Sequence, residues 1–316
     1  MEASIYNRLL DISTVIHIIS KVLAIYVVHR HSPTNMDSFP LFILNVMIWN
    51  LAGNVFGALI HMYPLFPDDC FRADGLASVF VQSERISHFL YALVVVCVGN
   101  CALASVFAFP YRYLVFVHPR LVSNIKRRWC SVLCAVAHAC MTASILYVYT
   151  YLIIPFDDYA FRGERPPRKG VFCFQTRGWI KYFIGAFGAV VMSGLVAVVI
   201  SSAVLLRRHL ESMSHIYSAC TLDLHRKYFR YLLVITAVPV VFCEIPILIA
   251  FLCAFYSEFE YSKEVFTSCA VVIYNHGTLF SAVTIITFRP YYRSVSRMVH
   301  GLFIKCRHGN RVFVSK

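Results

Sequence analysis

Long apolar segments alternate with short polar connections along the whole chain. Seven of the segments reach the roughly 20 residues that an α-helix needs to cross about 30 Å of hydrocarbon. They are residues 9–28, 39–62, 86–109, 129–154, 182–206, 231–255 and 265–288. The first segment has no small-residue cleavage site after it, so we expect an uncleaved span rather than a secretory signal peptide. The pattern predicts an all-α membrane protein built as a seven-transmembrane helix bundle.

The basic tail, residues 289–316, adds one more element. Apolar residues recur in it among lysines and arginines, which predicts a short amphipathic helix lying in the membrane interface. Cys306 in this helix is a candidate for palmitoylation. No repeat of 20–50 residues and no inverted similarity between the two halves is visible, so we expect a single domain over residues 1–316.

Composition supports the membrane interpretation. The chain is 59% apolar and 14% charged, whereas soluble domains are about half apolar and a quarter charged. A net charge of +13 would favour nucleic-acid binding in a soluble protein, but here the basic clusters lie between apolar runs. We therefore expect membrane lipids, and no nucleic acid, as partners.

The charges also predict an orientation. The connections 29–38, 110–128, 207–230 and the tail together carry 18 Lys or Arg and 3 Asp or Glu, while the connections on the other side carry 10 and 11. The positive-inside rule places the first set in the cytosol and the N-terminus outside. Residues 155–181 disagree, because this connection carries six basic residues on the side predicted to be outside.

Two of the twelve cysteines, Cys70 and Cys173, fall in connections predicted to lie outside. Disulfides form on the oxidising side of a membrane, so these two residues either form a bridge or remain free thiols. A bridge would join the segment before the third span to the connection after the fourth.

Five ionisable side chains fall inside the predicted spans, where such groups mark functional sites by default. Lys21 lies seven residues before the end of its span, about 10 Å, and we expect its ammonium to snorkel to the interface. His17 and His138 are expected to bond neighbouring helices. Glu244 lies between two prolines and is either a paired or protonated structural residue or a ligand-binding one. His276 is expected either to bond a neighbouring helix or to bind a ligand.

Several amides share the depth of Glu244 and His276. They are Asn50, Asn54, Asn100 and Asn275, and interhelical hydrogen bonding would explain most of them. The prolines at 239 and 246 each remove a backbone donor and favour a kink in the sixth span. A helix bent in this way suits an element that moves between two positions.

Basic residues cluster at the ends of the spans predicted to face the cytosol. Arg112, Tyr113, Arg127 and Arg226 are candidates for contact with a cytosolic partner, and attraction to anionic lipid is the alternative. Nucleotide-binding, metalloprotease and hydrolase motifs are absent from the sequence. We therefore predict neither an enzyme, nor a metal site, nor a cofactor.

A series of motifs occurs in order along nearly the whole chain: Ser32-Pro33-Thr34-Asn35-Met36, Leu44-Asn45, Trp49, the stretch 67–75 with Cys70, Thr221, His225, Pro239, Pro246, His276-Gly277 and Pro290-Tyr291-Tyr292-Arg293. This series resembles that of the nematode serpentine chemoreceptors, a group of G-protein-coupled receptors, and class H is the nearest match. The resemblance implies an external small-molecule ligand, a heterotrimeric G protein as partner, and the plasma membrane of a chemosensory neuron, in its sensory cilium. On this basis Glu244, Asn275, His276 and Asn100 are expected to bind the ligand.

Two other functions fit seven spans. A ligand-gated cation channel of the insect odorant-receptor kind would have its N-terminus in the cytosol. A small-solute transporter would depend on Glu244 for flux.

An epitope tag at the N-terminus separates the receptor from the channel. Because the charges place this end outside, we expect antibody to label the tag on intact cells, and a tag after Lys316 only after permeabilisation. Labelling of the N-terminal tag only in permeabilised cells would contradict the receptor topology.

Overall fold

The computed structural model describes residues 1–32, 39–80, 83–118, 127–162, 164–175, 178–213 and 218–313. Its helices are α1 (Ala3–His31), α2 (Phe39–Ile60), α3 (Ala77–Phe80), α4 (Glu84–Val106), α5 (Ala108–Val117), α6 (Arg127–Thr150), α7 (Trp179–Ser212), α8 (Ala219–Pro239), α9 (Ile245–Phe255), α10 (Ser262–Thr287) and α11 (Arg289–Phe313). A π-helical turn, Val240–Glu244, joins α8 to α9.

Within these ranges seven helices are long and apolar enough to cross a membrane. The spans, in chain order, are α1, α2, α4 with α5, α6, α7, α8 through α9, and α10. The predicted seven-helix bundle is therefore confirmed. The first, third, fifth and sixth spans are longer than predicted, because their helices continue into polar residues that hydropathy excludes.

A helix follows the last span, as predicted, but it is 25 residues long rather than short. Tyr291 and Ser294 are buried on one side of α11, while Arg293 and Arg297 are exposed on the other. This separation of apolar and basic faces is the pattern of a helix that lies along a membrane surface.

The connections form a small antiparallel sheet that the sequence analysis did not predict. Its strands are β1 (Met62–Pro64), β2 (Cys70–Ala73), β3 (Ile153–Ile154) and β4 (Val171–Phe174), in the order β1-β2-β4-β3. We call the end of the bundle that carries this sheet the sheet end, and the opposite end, where α11 begins, the tail end. Cys70 lies opposite Cys173 in the register, their Cα atoms are 4.1 Å apart, and a disulfide joins them.

Aromatic side chains close the bundle beneath the sheet. Phe172 and Phe174 are buried, and their rings lie 5.6 and 5.4 Å from that of Tyr91 in the third span. Phe71 stacks on the same tyrosine at 6.0 Å. We call Phe71, Tyr91, Phe172 and Phe174 the aromatic lid. It separates the interior of the bundle from the sheet end.

Two glycines allow the second and seventh spans to pack closely. A Cβ at Gly57 would overlap the Tyr274 hydroxyl, and a Cβ at Gly277 would overlap the Asn50 amide. The Tyr274 hydroxyl and the Asn50 amide therefore occupy the space that the Cβ of any other residue would fill at positions 57 and 277.

Gly277→Ala tests this packing. We expect it to lower stability by about 1–3 kcal/mol, as overpacked core substitutions do. Gly194→Ala, where a Cβ meets nothing within 4 Å, is the matched control and should be neutral or stabilising by about 0.5–1 kcal/mol. Thermal unfolding of the purified protein measures both, and equal midpoints for the two variants would contradict the packing.

Candidate functional site

A π-helical turn places Glu244 inside the bundle. The Ile245 N–H donates to the Val240 carbonyl, a bond that spans five residues, and Pro246 has no N–H to donate. Turns of this kind are rare and frequently lie at functional sites. Glu244 is the last residue of the turn, and its side chain is only 2% exposed.

Four more polar side chains are buried with Glu244 in the interior. His17 and Lys21 come from the first span, Asn50 from the second and His276 from the seventh. We call these five residues the polar cluster. These residues come from four of the seven spans.

Hydrogen bonds fix the orientation of His276. Its Nδ1 lies 2.5 Å from the carbonyl of Ile273, which can only accept, so Nδ1 carries the proton. Nε2 is then the acceptor for the Asn50 amide at 2.8 Å. His17 bonds Thr278 of the seventh span in the same region. The prediction that Asn50 and His17 bond neighbouring helices is confirmed.

The prediction that Lys21 snorkels is wrong, because its side chain is 0% exposed. His17, Lys21, Ala24 and Val28 are all fully buried, and their spacing places them on one stripe of the first helix that faces the bundle. An ammonium on that stripe cannot extend towards lipid headgroups. The spacing of these residues was the sequence signal that pointed to burial.

Within the described part of the chain, several cluster atoms have no hydrogen-bond partner. They are Lys21 Nζ, Glu244 Oε2, Asn50 Oδ1 and His17 Nε2. Leaving a buried polar atom without a hydrogen bond costs about 1–3 kcal/mol. The cluster therefore offers both a donor and acceptors to a polar molecule.

The other two predicted ligand-binding residues lie elsewhere. Asn100 donates to the Thr142 hydroxyl at 2.9 Å and accepts from His138 Nδ1 at 2.7 Å, which ties the third span to the fourth. His138 Nε2 in turn accepts from Asn45 of the second span at 3.0 Å. Asn275 is exposed and donates to the Val271 carbonyl of its own helix at 2.8 Å. Glu244 and His276 are both buried inside the bundle.

Aromatic rings surround Arg112 at the tail end. Its guanidinium carbon lies 5.2 Å from the ring of Phe39, 5.9 Å from that of Phe116 and 5.4 Å from that of Tyr228. We call Phe39, Phe116 and Tyr228 the aromatic cage. Because Phe39 belongs to the second span and Tyr228 to the sixth, cation–π attraction connects three spans through Arg112.

The cage fills the tail end almost completely. The cavity around Arg112 has a volume of about 10 Å³, enough for roughly one water molecule. Leu206 of the fifth span and His225 of the sixth also line it. The tail end is therefore closed in this structure.

The remaining predicted contact residues lie near the cage or outside the described side chains. Tyr113 is half-buried against the core, and Arg226 is exposed, two residues before Tyr228. Arg127 begins α6 and Cys306 lies in α11, but the side chains of both fall outside the part of the chain that the structure describes.

Ion pairs at the sheet end involve the connection that disagreed with the charge rule. Arg165 and Arg168 both bind Asp157, at 3.0 and 2.9 Å. Arg162 pairs with Glu258, and Lys181 lies 3.7 Å from Asp69. Nearby acids therefore offset much of the positive charge of residues 155–181.

A further ion pair lies in the sheet itself. The Arg72 guanidinium lies 2.5 Å from a carboxylate oxygen of Asp74, and this hydrogen bond raises the pKa of Arg72. Arg72 therefore keeps its positive charge at the sheet end of the bundle.

Three features define a seven-transmembrane receptor. They are the seven spans, the disulfide-bonded sheet at one end, and the arginine held between the third and sixth spans at the other end. The family model described as serpentine type 7TM GPCR chemoreceptor Srh matches residues 2–301. The chain belongs to this family of chemoreceptors, and the resemblance to class H is confirmed. No curated protein matches the chain significantly.

Proposed function

We propose that the protein is a chemosensory G-protein-coupled receptor that binds an external small molecule and activates a heterotrimeric G protein. Membership of the Srh family supports the receptor class. The observation that carries the coupling is the aromatic cage, since it holds the third and sixth spans together where a cytosolic partner would enter.

In this proposal the sheet end is outside the cell and the tail end is in the cytosol. The basic connections and tail support this orientation, as does a disulfide at the sheet end. We place the receptor in the plasma membrane, in the cilium of a chemosensory neuron.

The sixth span is the moving element. Its π turn interrupts the regular bonding ladder between Pro239 and Pro246, so bending is concentrated beside Glu244. A ligand that binds the polar cluster more tightly when the tail end is open shifts the population towards that state by its difference in affinity. Glu244 and His276 contact the ligand, whereas Asn100 ties the third span to the fourth.

Opening of the tail end exposes the coupling surface. Arg112 and Tyr113 of the third span, Arg127 of the fourth and Arg226 of the sixth then meet the G protein. Helix α11 rests on anionic lipid, and palmitoylation of Cys306 would strengthen that attachment.

Tyr228→Leu tests the coupling without any knowledge of the ligand. The substitution removes one ring from Arg112, and a cation–π contact contributes about 0.5–2 kcal/mol. We expect basal nucleotide exchange by a co-reconstituted heterotrimeric G protein to rise roughly twofold to thirtyfold, the corresponding change in the ratio of open to closed receptor.

Tyr228→Phe is the matched control, because it keeps the ring and should leave basal exchange unchanged. Exchange is measured at equal amounts of folded receptor. Identical rates for wild type, Tyr228→Leu and Tyr228→Phe would contradict both the cage as a restraint and the coupling.

A further inference from the structure

A buried histidine lies directly beneath the aromatic lid. His88 of the third span is 5% exposed, and its ring lies 5.2 Å from that of Phe172 and 5.4 Å from that of Phe174. Both contacts are edge-to-face, so the two phenylalanines of β4 cover the imidazole. His88 belongs neither to the proposed ligand site nor to the proposed coupling surface.

Hydrogen bonds fix the tautomer of His88. The Tyr149 hydroxyl donates to the backbone carbonyl of His88 at 3.0 Å, so its oxygen is left as an acceptor. That oxygen lies 3.1 Å from His88 Nδ1, which therefore carries the proton. Nε2 is then the unprotonated nitrogen, and the closed lid holds a neutral imidazole.

The unprotonated nitrogen lies near one carboxylate but does not bond it. Among the described residues His88 Nε2 has no hydrogen-bond partner. It lies 3.9 Å from Glu84 Oε1, beyond hydrogen-bonding distance, and that oxygen already accepts from the Phe156 N–H at 2.8 Å. Of the titratable groups in the described part of the chain, Glu84 on the same helix and Tyr149 on α6 contact His88, whereas β4 contributes aromatic rings.

Protonation of this ring conflicts with a closed lid. An imidazolium carries a donor at Nε2 as well as at Nδ1, and under the closed lid the first of these lacks an acceptor at hydrogen-bonding distance. A buried charge without a bonded partner costs more than the attraction between a cation and aromatic rings contributes. Acid therefore favours a state in which water reaches the ring.

The lid is able to leave the ring as one unit. Three of its four rings lie on strands, since Phe71 belongs to β2 and the two phenylalanines over His88 belong to β4. The Cys70–Cys173 disulfide joins these two strands, so the three rings stay together when the strands lift. The fourth ring remains on the third span.

We propose that His88 is a proton-binding site that opens the aromatic lid in acid. The closed lid holds the neutral ring, whereas the open lid admits water and holds the imidazolium. Because the open state binds one more proton, its population rises by up to about tenfold for each pH unit below the ordinary pKa of an exposed histidine, about 6.5. In the proposed orientation external acid then admits molecules to the interior of the bundle, a consequence that rests on the proposed function.

Hydroxyl-radical footprinting of the full-length protein in lipid nanodiscs measures the opening of the lid. Mass spectrometry follows the oxidation of Phe172 and Phe174, normalised to Tyr256 and Phe259, which are 65% and 74% exposed. Between about pH 7.5 and about pH 5.5 we expect the oxidation of the two lid rings to rise severalfold, up to about tenfold, as the open population rises. Exposed carboxylates remain ionised over this interval.

Two variants locate the proton. His88→Asn removes the titrating ring and keeps an N–H donor for Tyr149, so its lid rings should be oxidised equally at both pH values. His61→Asn is the matched control, because His61 is 2% exposed, lies at the sheet end and is 3.8 Å from Asp11. Asparagine also tolerates the positive φ of 35° at this position. This variant should respond to acid as the wild type does.

The proton site is overturned if acid leaves the oxidation of the wild-type lid unchanged, or if the response persists in His88→Asn. Reduced oxidation in acid would also overturn it, because Glu84 would then bind the imidazolium inside a closed lid. Loss of the response in His61→Asn would assign the proton to that histidine instead. Basal G-protein activation by Tyr228→Leu is measured at one pH, so the proposed function and the proton site fail separately.

Discussion

Hydrocarbon offers no water to polar side chains, so each one inside the bundle must find a protein partner. The Asn50–His276 bond joins the second span to the seventh, and His138 joins the fourth to the second and third. Gly277 leaves the space that the first of these bonds requires. The relative positions of the spans follow from these bonds together with close packing.

Because polar side chains in hydrocarbon need protein partners, the atoms that lack one are informative. Lys21 Nζ and Glu244 Oε2 remain without hydrogen-bond partners in the part of the chain that the structure describes, and Glu244 lies on a π turn that two prolines flank. The aromatic lid and the cage around Arg112 lie at opposite ends of the bundle, and the side chains of Lys21 and Glu244 are closed to solvent. A ligand that hydrogen-bonds Glu244 would change the balance between closed and open states at the helix best able to bend.

Hydropathy predicted the spans because their apolar length is a property of each segment alone. A hydrogen bond from Asn50 to another helix was also predictable, since an amide in hydrocarbon requires a hydrogen-bond partner. The sheet was not, because its strands have only two to four residues and depend on partners distant in sequence. The burial of Lys21 and the ion pairs of Arg165 and Lys181 likewise depend on neighbours from other segments.

In the proposed function, movement of the sixth span about its π turn connects the ligand site to the cytosolic partner, and a distance measurement tests it most directly. Spin labels on noncanonical residues at Leu114 in the third span and Arg226 in the sixth, both exposed, report the width of the tail end. The predicted result is a longer distance with nucleotide-free G protein bound and a partial shift in Tyr228→Leu. One unchanged distance distribution in all three states would contradict this movement.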